Sequence, residues 1–89
     1  MSTPKVHKLV HEVITIEQCR AGRALLGVTQ RELADAAQVN KRTLMDFESG
    51  NRTPVNSTLS VLRSTLEKLG VEFIPENGGG AGVRLSKPT

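Results

Sequence analysis

The chain has 89 residues and a formal net charge of +3, which limits it to one domain with one core and gives only a weak pointer to nucleic acid. Phe47 and Phe73 are the only aromatic residues, so the core must be aliphatic. The single cysteine, Cys19, excludes an internal disulfide, and no signal peptide or bilayer-spanning apolar run is recognisable, so we expect a cytoplasmic protein without a membrane partner.

Residues 1–14 are predicted to form an N-terminal extension. Apolar residues recur there at helical spacing, at Val6, Leu9, Val10, Val13 and Ile14. Because valine and isoleucine also favour strands, helix and strand both stay open for this segment. His7 and His11 lie four residues apart, but a metal site needs three or four ligands and no third is fixed nearby. We therefore predict no metal and no cofactor.

The next segment carries the signature of a helix start. Thr15-x-x-Gln18 is a capping box, in which the threonine hydroxyl and the glutamine side chain each satisfy a backbone amide. It predicts a helix that runs to about Leu26 and stops at Gly27. Cys19 lies on the apolar side of this helix, and we expect a small core residue there rather than a nucleophile, since no catalytic histidine accompanies it.

Residues 29–50 predict two short helices joined by a tight turn. Thr29 and Glu32 form a second capping box, and Asn40 is a good cap for the next helix. The apolar positions recur at helical spacing, at Leu33, Ala34, Ala37, Leu44 and Phe47. The opposite side of the second helix is polar and partly cationic, and Gly50 suits a left-handed stop. Such a pair is the plan of a helix-turn-helix.

The rest of the chain predicts one more helix and a hairpin. Asn56 or Ser57 is expected to cap a core-closing helix whose leucines are Leu59, Leu62, Leu66 and Leu69; a dimer seam is a second interpretation of the same leucines. Residues 71–74 and 83–86 alternate around a glycine-rich loop, which indicates a β-hairpin with Glu72 near Arg84. Since a lone hairpin is only marginally stable, we hypothesise that it packs against its counterpart in a dimer.

The central residues resemble the phage-repressor/Cro-like helix-turn-helix family of small DNA-binding regulators. The matching motifs are the Thr-Gln at 29–30, the Glu-Leu-Ala at 32–34, Val39 in the turn and the L-x-x-F-E-x-G at 44–50. The resemblance covers roughly residues 15–69. It implies a structural ion pair between Arg23 and Glu48 and a phosphate contact at Gln30. Many members have glycine where Gln38 stands, because φ is positive there.

We expect the second helix of the motif to read the major groove of double-stranded DNA. The predicted base contacts are Lys41, Arg42, Met45 and Asp46. The predicted phosphate contacts are Gln30, Asn40, Thr43, Asn51, Arg52 and Thr53. Two roles are open for Asp46: it accepts from a cytosine amino group, or, as we favour, it lies one turn after Arg42 and holds that guanidinium in place. Lys41 and Arg42 are alternatively ordinary solvated residues.

The expected protein is mainly α, a small helical bundle with a helix-turn-helix at 15–70 and a C-terminal β-hairpin and tail at 71–89. The expected function is a transcriptional regulator, a repressor that binds an inverted-repeat operator as a homodimer. The alternatives are a DNA-binding antitoxin that also binds a toxin, and a protein-interaction adaptor that has lost DNA binding. An enzyme is not expected, because no carboxylate pair, Ser/His/Asp set or metal cluster converges in the sequence.

Overall fold

The structure is a computed structural model that describes residues 13–86. The predictions for Val6, Leu9, Val10, His7 and His11 lie outside the described residues. Over the described range, four helices precede a two-stranded hairpin. Their bounds are α1 Ile16–Leu26, α2 Gln30–Ala37, α3 Lys41–Ser49, α4 Asn56–Leu69, β1 Val71–Ile74 and β2 Gly82–Leu85. The predicted fold class, a small helical bundle with a C-terminal hairpin, is confirmed.

Local capping chemistry sets the start of the first two helices. Thr15 Oγ1 accepts from the Gln18 backbone amide at 3.0 Å, and Gln18 Oε1 accepts from the Thr15 amide at 3.0 Å. Thr29 and Glu32 repeat the arrangement at 3.0 and 2.8 Å. Both predicted capping boxes are therefore confirmed, and α1 ends as predicted at Gly27, which is left-handed with φ 70°.

The start of α4 differs from the prediction. Neither Asn56 nor Ser57 caps this helix: Val55 is the cap residue, in an extended conformation, and it offers no side-chain hydrogen bond. Asn56 is already the first helical residue. The helix begins directly after the extended Val55, and burial of its leucines, rather than a side-chain cap, holds it in place.

One apolar core joins all the elements; it is mostly aliphatic, but Phe47 and Phe73 are both part of it. Leu59, Leu62 and Leu66 of α4 are buried inside the chain, so they close the core and are not available for a dimer seam, whereas Leu69 is 43% exposed and lies outside the core. The small side chains of Ala34 and Ala37 are also buried, and α2 packs against both α3 and α4. The interpretation of α4 as the core-closing helix is confirmed.

The hairpin is antiparallel and belongs to the same core. Its register pairs Val71 with Leu85, Glu72 with Arg84 and Phe73 with Val83, so the predicted proximity of Glu72 and Arg84 is confirmed. Val71 and Phe73 are buried against the helices, while Glu72 and Arg84 face outward and pair at 3.0 Å. The inner face is thus covered within one chain at β1, whereas Leu85, which shares that face at the end of β2, is 51% exposed.

Two polar side chains fasten the hairpin to the helices. Gln18 of α1 donates from Nε2 to the Gly82 carbonyl oxygen at 3.1 Å. Arg63 of α4 lies 4.6 Å above the ring of Phe73 and donates to the Val13 carbonyl oxygen at 2.9 Å. Among residues 13–86, no helix is long and apolar enough to cross a membrane.

Candidate nucleic-acid interface

Helix α3 has one side inside the protein and one side outside. Leu44, Phe47 and Glu48 are buried, with exposed fractions of 0%, 4% and 5%. Lys41, Arg42 and Met45 are exposed, and Asp46 is partly exposed. The residues predicted to contact bases therefore share the outer side of α3, and the inner side holds the helix against the core.

The turn before α3 has the backbone that the resemblance implies. Gln38 is left-handed, with φ 57° and ψ 42°, and is the one non-glycine residue with positive φ between residues 13 and 86. The Val39 amide donates to the Ala34 carbonyl oxygen at 2.9 Å, and Val39 packs against the core. Asn40 Oδ1 accepts from the Arg42 amide at 2.8 Å and caps α3. The amide oxygen of Asn40 can only accept, so the one side-chain donor that Asn40 offers to a phosphate is its amide nitrogen.

A buried carboxylate ties three helices together behind this surface. Arg23 of α1 donates two hydrogen bonds to Glu48 of α3, from Nη2 to Oε1 at 2.7 Å and from Nε to Oε2 at 2.9 Å. Gln30 of α2 donates from Nε2 to Glu48 Oε1 at 2.9 Å, and the Cys19 thiol donates to Oε2 at 3.2 Å. The ion pair between Arg23 and Glu48 that the resemblance implies is present. Two further donors, Gln30 and Cys19, bind the same carboxylate.

These hydrogen bonds decide the protonation state of the cluster. Burial alone would raise the pKa of Glu48, but the bonds from Arg23, Gln30 and Cys19 outweigh it and hold the pKa below its usual range. Burial, followed by the bond to Glu48 and its negative charge, raises the pKa of the Cys19 thiol well above its usual value. Cys19 is fully buried, so the prediction that it is a small core residue is confirmed, and the raised pKa favours its protonated form.

The remaining predicted contacts surround α3. Arg42 Nε lies 3.7 Å from Asp46 Oδ1, which matches the interpretation of Asp46 as the residue that holds Arg42. The Asp46 carbonyl oxygen accepts from the backbone amides of Asn51 and Arg52 at 2.9 and 3.2 Å, so the loop after α3 folds back onto the helix. The side chains of Asn51, Arg52 and Thr53 are exposed, and Thr43 is half-buried.

A shallow depression of about 390 Å³ lies beside α3. Its lining side chains come from α1, α2 and α3 and are Arg20, Arg23, Gln30, Met45, Glu48 and Ser49. Arg20 was not among the predicted contact residues. It precedes Arg23 by three residues, a spacing that places both on the same side of a helix.

The described residues contain no group of three histidine, cysteine, aspartate or glutamate side chains that could hold a metal ion. Comparison of the chain with protein-family models and with curated proteins gave no match. The likeness to helix-turn-helix regulators therefore stays a resemblance of sequence motifs.

Proposed function

We propose that this protein is a cytoplasmic, sequence-specific DNA-binding regulator, a repressor that occupies an inverted-repeat operator as a homodimer. One observation carries the proposal: α3 is held by a buried inner side while Lys41, Arg42 and Met45 lie exposed on its outer side. A rigid helix with outward donors in its first turn is the element that enters a major groove in helix-turn-helix proteins.

The outer side of α3 has the chemistry of a base reader. The Arg42 guanidinium suits the O6 and N7 acceptors of guanine, and each good base contact discriminates by about 1–3 kcal/mol. Its ion pair with Asp46 restricts the guanidinium before DNA arrives. Lys41 reaches the same class of acceptor, and Met45 offers an apolar surface to a thymine methyl group.

The surrounding polar groups suit the DNA backbone. They are Gln30, Asn40, Thr43, Asn51, Arg52 and Thr53, which lie on α2, α3, the turn and the loop after α3. Such contacts fix the register of a protein on the duplex and carry no sequence information themselves. A single α3 reads few base pairs, so selective binding requires two copies on half-sites about 34 Å apart.

The test begins with selection of duplexes from random sequence, followed by titration of wild type and variants on the selected duplex and on mixed-sequence DNA. Arg42→Ala should reduce the preference for one base pair by about 1–3 kcal/mol, because it removes a base contact. Gln30→Ala should weaken binding to all duplexes similarly, because it removes a proposed backbone contact. It also removes the hydrogen bond from Gln30 to Glu48, so the free energy of unfolding of this variant is measured beside that of wild type. The control is Lys68→Ala on α4, outside the proposed interface, which should bind like wild type.

Each alternative function has its own outcome. If wild type binds no duplex in a salt-sensitive manner, the regulator proposal fails and the interaction adaptor is favoured. If it binds DNA and also forms a stoichiometric complex with a toxin encoded beside it, the antitoxin is favoured. If Arg42→Ala weakens all duplexes equally, Arg42 is a backbone contact and base reading must be assigned to other residues.

A further inference from the structure

Arg20 gives the depression beside α3 an uncompensated positive charge. The lining side chains include two arginines and one glutamate, so they leave one net positive charge. Arg23 already forms two hydrogen bonds with the Glu48 carboxylate. Arg20 is exposed and forms no ion pair with any residue of the range 13–86. An anion that enters the depression would therefore meet a guanidinium that is free to bind it.

Gln30 supplies a second donor with a fixed orientation. An ionised carboxylate only accepts hydrogen bonds, so the group that Gln30 turns towards Glu48 must be its amide nitrogen. That nitrogen carries two hydrogens, and the bond to Glu48 uses one of them. Ser49 is not a comparable donor, because its hydroxyl hydrogen is directed to the Asp46 carbonyl oxygen at 3.2 Å.

We propose that this depression binds a backbone phosphate of duplex DNA, held jointly by Arg20 of α1 and by the second amide hydrogen of Gln30. The inference rests on the proposed function, since it requires that α3 enters the groove. Met45 lines the same depression and belongs to the outer side of α3, so the phosphate would flank the helix while Met45 faces the bases. In this arrangement α1 contributes directly to DNA binding in addition to holding Glu48.

The test is the salt dependence of binding to a mixed-sequence duplex in chloride salt. Neutralising one phosphate contact lowers the slope of log K against log salt concentration by about 0.9 for each protomer bound. For Arg20→Gln, the magnitude of this slope should therefore decrease by about 0.9 per protomer. Arg20→Lys keeps the positive charge and should keep the wild-type slope. Lys68→Gln makes the same charge change on α4, and we expect it to leave the slope within error of wild type.

A double-mutant cycle tests whether Arg20 and Gln30 share one phosphate. If they do, the combined Arg20→Gln and Gln30→Ala variant should lose less affinity than the two single losses predict together, because contacts to one group couple. Additive losses would show that the two side chains bind different phosphates and would overturn the shared site. Circular dichroism of each variant verifies that the helices are intact.

The failures of the two proposals can be told apart. If wild type shows no salt-sensitive binding to any duplex, the proposed function and this inference both fall. If wild type binds with a steep salt dependence and Arg20→Gln has the slope of Lys68→Gln, the regulator stands and the phosphate site at Arg20 is wrong.

Discussion

The placement of α3 depends on one residue, Glu48, through its carboxylate. It lies in the interior and accepts hydrogen bonds from α1 and α2, through Arg23, Cys19 and Gln30. A buried ion pair adds little net stability, because desolvation offsets the attraction, but removal of one partner leaves a stranded charge. The cluster therefore acts mainly to fix the angle of α3, and its energetic contribution becomes visible when it is broken.

Acid should weaken the fold through this carboxylate. The folded-state pKa of Glu48 is below its usual range, so ionised Glu48 stabilises the folded state at neutral pH. That contribution should begin to fall as the pH approaches the ordinary pKa of a glutamate side chain, which applies in the unfolded state, and vanish as the pH drops through the lower folded-state pKa. Urea unfolding of wild type should show this decrease in the free energy of unfolding, and Glu48→Gln should show a shallower one.

Glu72→Gln provides the matched control for this pH dependence. The hydrogen bond from Arg84 also lowers the pKa of Glu72, but both side chains are exposed on the hairpin. Solvent screens such pairs, so the variant should follow the wild-type pH profile closely. Parallel profiles for wild type and Glu48→Gln would contradict the role given to the Glu48 carboxylate.

Single residues also show which parts of the site the sequence could and could not predict. The positive φ at Gln38 and the pairing of Arg23 with Glu48 follow from the resemblance, and both are present in the structure. The bonds of Cys19 and Gln30 to Glu48 were not predicted, because they join residues 29 and 18 positions apart. Such contacts depend on how three helices cross, which local spacing does not encode.

At the scale of elements, the sequence predicted the first residue of each helix that has a side-chain cap, but not the first residue of α4, which has none. A capping box is local chemistry over four residues, so Thr15 and Thr29 mark their helices directly in the sequence. At α4 the cap position is Val55, which carries no hydrogen-bonding side chain. The sequence suggested the nearest polar residues, Asn56 and Ser57, as the cap, and the predicted helix therefore started too late.

The uncapped start of α4 is a site where the protein can be stabilised. Val55 is 68% exposed and extended, so a serine fits there without loss of packing and can accept from an amide of the first turn. Val55→Ser should raise the free energy of unfolding by about 1 kcal/mol, measured by urea titration. Val55→Ala controls for the removed apolar surface, and equal stability of the two variants would show that no cap forms.

At the scale of the whole molecule, the hairpin completes the helical core. Alternation in the sequence predicted both strands, the second one residue too late, and the pairing of Glu72 with Arg84, since that pattern is local. The burial of Val71 and Phe73 against α1 and α4 was not predicted, because it depends on where the chain turns after Gly70. The hypothesis that the hairpin forms a dimer interface is now restricted to its outer face and its edges, including the edge along β2, where Leu85 is 51% exposed although it shares the inner face with Val71.

Loss of the hairpin's inner contacts should therefore destabilise the whole molecule and not the hairpin alone. Phe73 is 9% exposed and lies beneath the Arg63 guanidinium. Phe73→Ala should lower the free energy of unfolding by about 3–5 kcal/mol, as for other buried phenylalanines. Far-ultraviolet circular dichroism, which reports the helices, should show this loss during urea unfolding.

Leu85→Ala, in the partner strand but half exposed, should change the free energy of unfolding much less than Phe73→Ala does. Hydrogen exchange adds the decisive observation, because amides in α1, α4 and β1 should open together if the core is one cooperative unit. If Phe73→Ala released only the strand amides and left the helices at wild-type stability, the hairpin would be an appendage. Residues 15–70 would then fold as an independent unit.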